Sequence, residues 1–268
     1  MDSIFIFLIS VIIGILGSML GIGGGVLITP ILVNLFGIPI KDAIGASIIS
    51  VISTSSGAGS VYLSRGLIHT RLAMILEIAT TLGAFAGGLT AMILAPKALA
   101  IIFGAVLLYV AFMMAFGKEY RTDSNSTTLL NFEYQDPSDD SSHSFGVRNL
   151  TAGMVLSFIA GNISGLLGIG GGVVKVPIMN LVMGIPMRVS IATSNFMIGI
   201  TAAASAVIYY QHGYLKPGVV TPTMLGVLLG SQIGARLGGK IQSVRLKQIF
   251  SVLLLFFSIT MFFQSFGY

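Results

Sequence analysis

The chain has 268 residues, of which 54% are apolar and 9% charged, with no cysteine and a formal net charge of +5; its mean hydropathy is +0.96. A soluble domain is typically about 25% charged. One globular core of this length cannot hide so much apolar side chain, so lipid must be the solvent for most of it. The lack of cysteine excludes disulfides and thiolate metal sites, and basic residues scattered singly through loops read as membrane-orientation signals, not as a nucleic-acid surface.

The first apolar segment, residues 3–20, has Asp2 as the only charged side chain before it and no A-x-A cleavage pattern. It reads as a membrane helix and not as a signal peptide. Nine more segments follow, at 24–36, 42–63, 72–95, 98–117, 148–166, 172–184, 189–211, 218–239 and 246–266. A spanning helix needs about 20 residues. Segments 24–36 and 172–184 are shorter and are expected to be half-helices. Each follows the phrase GIGGG, at Gly21–Gly25 and Gly168–Gly172.

Residues 118–147 interrupt the series with a polar stretch that holds six of the nine acidic residues. It is expected to be a solvent loop or partly disordered linker between a first membrane repeat, 1–117, and a second, 148–268. The halves are repeats. A shift of 147 positions lands Gly21–Gly25 on Gly168–Gly172, Pro30 on Pro177, Gly37-Ile38-Pro39 on Gly184-Ile185-Pro186, Ser47 on Ser194, Thr54 on Thr201 and Tyr62 on Tyr209. Two related five-segment bundles in a membrane are the signature of a secondary transporter or channel.

Charge orients the halves. If all ten segments alternate sides, one side collects Arg65, Arg71, Lys118, Arg121, Arg148, Arg188, Arg236, Lys240, Arg245 and Lys247, and the other only Lys41, Lys97 and Lys216. That bias disappears if the two short segments are not counted, so the ten-segment arrangement is preferred. The expected fold is therefore an all-α integral membrane protein of two inverted-topology repeats, multi-pass in the cytoplasmic (inner) membrane. Both termini are expected outside and the linker in the cytoplasm.

Consecutive glycines each cost about 1 kcal/mol in a helix interior relative to alanine. They serve either to let helices approach closely or to break one helix into two pieces. Close approach is the reading for Gly17-xxx-Gly21, Gly83-xxx-Gly87 and Gly230-xxx-Gly234-xxx-Gly238. The break is the reading for GIGGG, because the next segment is too short to span and holds a proline. Free N–H groups at the start of the second piece, together with its helix dipole, suit an anion. The phrase is not a dinucleotide fingerprint, which fails at Val26 and Val173, and no Lys-Ser/Thr follows it.

Ionisable groups within membrane segments are functional candidates by default. Lys175, where the first repeat has Ile28, either holds an anion or snorkels to the interface. Glu77, the one carboxylate inside an apolar segment, reads as an interfacial residue about one and a half turns from Arg71, or as a proton-coupling site. Thr193-Ser194-Asn195, with Ser47 as partner in the first half, offers neutral donors to an oxyanion. No catalytic constellation is present: there is no intramembrane carboxylate pair, no His pair and no G-x-S-x-G. His69, His143 and His212 fall in predicted loops without metal-ligand spacing. No enzyme activity, cofactor or metal is expected.

The pattern GIGGG-x4-P, then G-I-P and a small-Ser pair, runs through Gly21–Pro39 with Ala46-Ser47. It returns in Gly168–Pro186 with Thr193-Ser194, followed by "NFMIGITAAASAVIYYQHGYLKPG" and "GSQIGARLGGKI". This resembles the TauE/SafE family of sulfite exporters over nearly all of the chain outside the linker. The resemblance implies export of sulfite, a sulfonate or a related small sulfur-containing anion by alternating access. The substrate-binding residues expected are Gly23, Gly24, Gly25, Ser47, Gly170, Gly171, Gly172, Lys175, Thr193, Ser194 and Asn195, with Glu77 as a candidate for coupling. The expected partners are that anion and membrane lipid; further copies of the chain stay open, and nucleic acid is not expected. An anion channel, or a scaffold acting through the linker, is the alternative.

Overall fold

The computed structural model describes residues 2–116, 131–135, 142–237 and 243–266. Five helices form the first half: α1 (Asp2–Leu20), α2 (Gly25–Phe36), α3 (Ile40–Ser64), α4 (Thr70–Ile93) and α5 (Pro96–Phe116). Strands β1 (Asn131–Gln135) and β2 (Ser142–Gly146) lie between the halves. The second half holds α6 (Leu150–Leu167), α7 (Gly172–Pro177) continued by a π-helical turn (Ile178–Val182), α8 (Met187–Gln211), α9 (Pro217–Leu237) and α10 (Ser243–Phe266). Among the described residues, seven helices are long and apolar enough to cross a membrane. The chain is an all-α, multi-pass membrane protein.

The same punctuation sets the helix ends in both halves. Gly37 (φ 62) and Gly184 (φ 72) adopt the left-handed conformation that ends a short helix. The prolines two residues on, Pro39 and Pro186, hold extended backbone at the N-caps of α3 and α8. The copies differ at their internal prolines. Pro30 is carried within a continuous α2, whereas α7 gives way after Pro177 to the π turn.

Packing crosses between the halves. α1 lies along α9 and α6 along α4, while the corresponding helices α3 and α8, and α5 and α10, pack on each other. The expected close approaches occur. A Cβ on Gly83 or Gly87 would strike the carbonyl oxygens of Phe158 and Asn162 on α6, and one on Gly230 or Gly234 those of Val11 and Ile15 on α1. Gly17 and Gly21 do something else. A Cβ on Gly17 would meet the backbone of Gly24, and Gly21 has φ 72, so both belong to the break after α1. Large apolar residues such as Ile12, Ile78, Leu82 and Ile93 face outward, while Ser47, Thr54, Glu77, Thr80, Lys175 and Thr201 are buried. That distribution suits a lipid surround.

Lys41 and Arg65 mark the two ends of α3. At the start of α3, Lys41 Nζ donates to the Met92 carbonyl at 3.1 Å and sits 5.7 Å over the Tyr214 ring. At the other end of α3, Arg65 donates to the carbonyls of Ala235 and Arg236 at the end of α9. Lys118, Arg121, Lys240 and Gly238 lie outside the described residues.

Part of the 118–147 stretch is not the solvent loop expected. β1 and β2 pair antiparallel, with Phe132 opposite Phe145. Phe132 stacks on His69, ring centroids 4.7 Å apart. Tyr134, Phe145 and Val147 are buried in one cluster with Leu67 and Ile68, and the Arg148 N–H donates to the Met183 carbonyl at 3.0 Å. The hairpin thus closes over the start of α4 and the turn before α8.

Candidate functional site

Both GIGGG phrases interrupt the chain. The first ends α1 at Leu20 and starts α2 at Gly25; the second ends α6 at Leu167 and starts α7 at Gly172. Gly23 (φ 69), Gly168 (φ 69), Gly170 (φ 75) and Gly171 (φ 70) take left-handed backbone that other residues rarely adopt.

The two breaks pack against each other. A Cβ on Gly25 would lie 2.6 Å from the Gly168 carbonyl oxygen, and one on Gly172 would strike the Gly21 carbonyl. Gly23 abuts Ile198 of α8, and its counterpart Gly170 abuts Val51 of α3 and Ile198. The serines repeat the exchange. Ser47 Oγ donates to the Gly168 carbonyl at 2.8 Å and lies 3.0 Å from that of Gly25, while Ser194 Oγ donates to the Gly21 carbonyl at 2.9 Å. Each serine therefore satisfies the first glycine of the opposite half. Asn195 Nδ2 donates to the Ser18 carbonyl at 3.0 Å and to that of Ile191 at 3.1 Å. Its Oδ1 is buried without a hydrogen-bond partner among the described residues.

The expected site residues thus fall into three groups. Gly23–Gly25, Gly170–Gly172, Ser47, Ser194 and Asn195 meet at the seam between the breaks. Thr193 does not join them. Adjacent residues on a helix point about 100° apart, and the Thr193 hydroxyl turns toward α4, where it accepts the His69 N–H at 3.1 Å. Nδ1 of His69 in turn accepts the Leu72 N–H and caps α4. A small cavity lined by Ile6, Ile28, Phe36 and Thr223 among others has a volume of about 10 Å³, the size of one water, and is too small for a sulfur oxyanion.

Lys175 and Glu77 form the third group, and neither behaves as an interfacial residue. Lys175 is 1% and Glu77 5% exposed. Lys175 Nζ lies 3.4 Å from Glu77 Oε2 and donates to Thr201 Oγ1 at 2.6 Å. Thr201 Oγ1 donates to Glu77 Oε1 at 2.6 Å, and Thr81 Oγ1 donates to the same oxygen at 3.2 Å. The cluster joins α7, α4 and α8. Thr201 lies seven residues after Ser194, on the same face of α8 and roughly 10 Å further along. The pairing spans 98 residues, so no local pattern announces it. The available signal was charge balance: among the described residues Lys175 is the one buried lysine and needs an anion, and Glu77 is the one buried carboxylate and needs a cation. Among the described residues no group of three His, Asp or Glu side chains stands close enough to hold a metal.

Comparison with known proteins finds relatives among membrane transporters. A probable membrane transporter protein, YunE of Bacillus subtilis (strain 168), is 23% identical over 262 residues, covering 95% of each chain. A probable membrane transporter protein of Methanocaldococcus jannaschii is 27% identical over 262 residues, covering 92% of this chain and 90% of its own. A shorter stretch of 59 residues, 22% of this chain and 14% of the other, is 46% identical to sulfite exporter TauE/SafE family protein 6 of Arabidopsis thaliana. No solved structure matches. The family model described as Sulfite exporter TauE/SafE matches residues 6–261, and the chain belongs to that family.

Proposed function

We propose that this membrane transporter exports sulfite, or a related small sulfur-containing anion such as a sulfonate, across the cytoplasmic membrane by alternating access. The substrate site is the seam where the two breaks meet. One observation carries this reading: the reciprocal bonds of Ser47 to Gly168 and Ser194 to Gly21. In the closed seam, serine hydroxyls and half-helix starts face carbonyl oxygens of the opposite half. When the halves part, those donors lose their acceptors. An oxyanion carries several acceptor oxygens on one small centre and replaces both carbonyls at once. Asn195 Oδ1 accepts the O–H of a protonated anion such as bisulfite.

The seam residues in this reading are Gly23, Gly24, Gly25, Gly170, Gly171, Gly172, Ser47, Ser194 and Asn195, with Lys175 supplying positive charge nearby. The repeats are inverted, both termini are outside, and one half rocks against the other. Support for inversion comes from the helix ends. α3 ends beside the end of α9 at Arg65, while Thr193 in the second turn of α8 lies at the start of α4. Corresponding helices α3 and α8 then run in opposite directions.

The test is flux into proteoliposomes with sulfite, sulfate, thiosulfate and a sulfonate as probes. Saturable sulfite or sulfonate flux, lost in Ser47→Ala/Ser194→Ala, is expected. Ohmic current would replace the transporter by a channel, and no flux of any of the four would end the proposal.

A further inference from the structure

The buried Lys175–Thr201–Glu77 cluster lies outside the seam, draws on both halves, and has no charged counterpart under the 147-residue shift. The positions that the shift relates to Lys175, Thr201 and Glu77 hold Ile28, Thr54 and Met224. The threonine is kept, and both hydroxyls reach their own helix, Thr54 to the Ser50 carbonyl at 3.1 Å and Thr201 to that of Met197 at 3.2 Å, but Thr201 also bonds Lys175 and Glu77. The fold therefore accepts apolar residues at these helix positions, and packing does not explain a lysine and a glutamate. A buried ion pair is also poor evidence of stability, because desolvation opposes the Coulomb attraction.

The bonding of the cluster suits exchange. The Lys175 ammonium has three N–H donors, and two acceptors, Thr201 Oγ1 and Glu77 Oε2, lie within reach among the described residues. One donor is left over. The Glu77 contact is the longer of the two, 3.4 Å against 2.6 Å, so the carboxylate is the looser partner. Thr201 bridges both ends, accepting from lysine and donating to glutamate. An anion arriving at the ammonium leaves two negative charges facing one positive charge in a water-poor interior. Two like charges so close cannot both remain ionised cheaply, and Glu77 is the group able to take a proton.

The other titratable or charged groups on the helices around the cluster stand apart. α4 adds Arg71 in its first turn and His69 at its cap. α8 adds Arg188 in its first turn and Tyr209 and Tyr210 in its last. α3 adds Lys41 and Asp42 at its start and Tyr62 near its end. α6, the rest of α7 and the π turn add none.

We propose that Lys175, Thr201 and Glu77 form a proton–anion exchange site. The anion takes the Lys175 ammonium in place of the Glu77 carboxylate, and Glu77 binds one proton as it lets go. No other bond is made or broken. When the anion leaves, Glu77 releases the proton to the same side and re-forms the pair. One proton thus travels with each anion in the same direction. A monoanion such as bisulfite moves without net charge, and a dianion moves one negative charge per cycle. The proposal rests on the reading that the chain transports a small anion.

The experiment uses full-length protein in liposomes with an entrapped pH dye, a potential clamp, an imposed sulfite gradient and protein-free vesicles as the baseline. Wild type is expected to move, for each bisulfite, on the order of one proton beyond the proton that bisulfite itself carries. Glu77→Gln is expected to lose that additional proton, read as a fall of about one in the ratio of protons to sulfite moved, whatever the flux itself. Lys175→Ile/Glu77→Met, which copies the residues at the shift-related positions Ile28 and Met224, guards against a variant that fails to fold; it is expected to fold and to move no proton beyond that of bisulfite itself. Sulfite flux in wild type with no proton beyond that of bisulfite itself overturns the exchange and leaves the transport reading standing. So does unchanged proton coupling in Glu77→Gln or in the double variant. Absence of any anion flux in wild type overturns both.

Discussion

Ser47 Oγ donates to the Gly168 carbonyl at 2.8 Å, joining two residues 121 positions apart in opposite halves of the chain. Its counterpart Ser194 makes the mirror contact to Gly21 at 2.9 Å. A break in a membrane helix strands carbonyls that water cannot reach. Here each half supplies the hydroxyl that the other half's break requires.

Removing either hydroxyl strands one of those carbonyls. Ser47→Ala and Ser194→Ala are each expected to destabilise the protein by about 1–3 kcal/mol, the range for an unsatisfied buried group. Thermal unfolding in detergent reads this as a lowered Tm for both single variants. A wild-type Tm in either would show that its hydroxyl contributes nothing to the closed seam.

The glycines on the seam are fixed by lack of room. Gly25→Ala places a methyl 2.6 Å from the Gly168 carbonyl, and Gly172→Ala drives one into the Gly21 carbonyl. Each is expected to cost about 1–3 kcal/mol through overpacking and to abolish flux, since the breaks can no longer close on each other. Gly218→Ala is the control. That residue is exposed, and nothing lies within 4 Å of its Cβ position. Its stability is expected to stay within about 0.5 kcal/mol of wild type.

Lys175 and Glu77 are expected to be strongly coupled in stability. Lys175→Met leaves a buried carboxylate without its cation, a loss of about 3–5 kcal/mol for a broken buried pair. Adding Glu77→Gln removes the uncompensated charge and is expected to restore much of that. A double-mutant cycle checks this. Additive effects would mean that the two charges do not sense each other.

The hairpin is expected to be structural as well as connective. Phe132→Ala removes the ring stacked on His69, the residue whose backbone N–H reaches Thr193. Loss of an aromatic pair is worth about 0.5–1.5 kcal/mol beyond the area it buries. Limited proteolysis near residues 131–146 is expected to accelerate while the membrane helices stay protected. Unchanged cleavage would mean that the stack does not hold the hairpin down.

Much of the fold was legible because its signals are local. Apolar segment length, the GIGGG breaks and the glycine–proline stops fall close to the observed helix ends, and the 147-residue register identifies Ser47 with Ser194. What those serines bond to was not legible, because the partner lies in the other half of the chain. Thr193, Ser194 and Asn195 read as one donor cluster from their adjacency, yet helical geometry sends Thr193 toward His69 and the other two toward the breaks. The hairpin was hidden for a related reason. Phe132 and Tyr134 alternate with polar residues as a half-buried strand should, but five residues of alternation are a weak signal inside a Ser- and Asp-rich stretch. The Lys175–Glu77 pair depends on two helices brought together by tertiary packing, and only charge balance hinted at it.

The orientation of the two ends is open to a direct measurement, because the chain contains no cysteine. Lys216 and Arg148 are both exposed and sit just before α9 and α6. α9 and α6 are the fourth and first helices of the second half, and the charge asymmetry predicts that their starts lie on opposite sides of the membrane. In intact cells a membrane-impermeant maleimide is expected to label Lys216→Cys from outside and to label Arg148→Cys only after permeabilisation. Labelling of both variants from one side would remove the alternation of all ten segments, and with it the inversion of the repeats. Outside labelling of Arg148→Cys alone would keep the inversion and turn the molecule over, placing both termini and the Lys41 end of α3 in the cytoplasm.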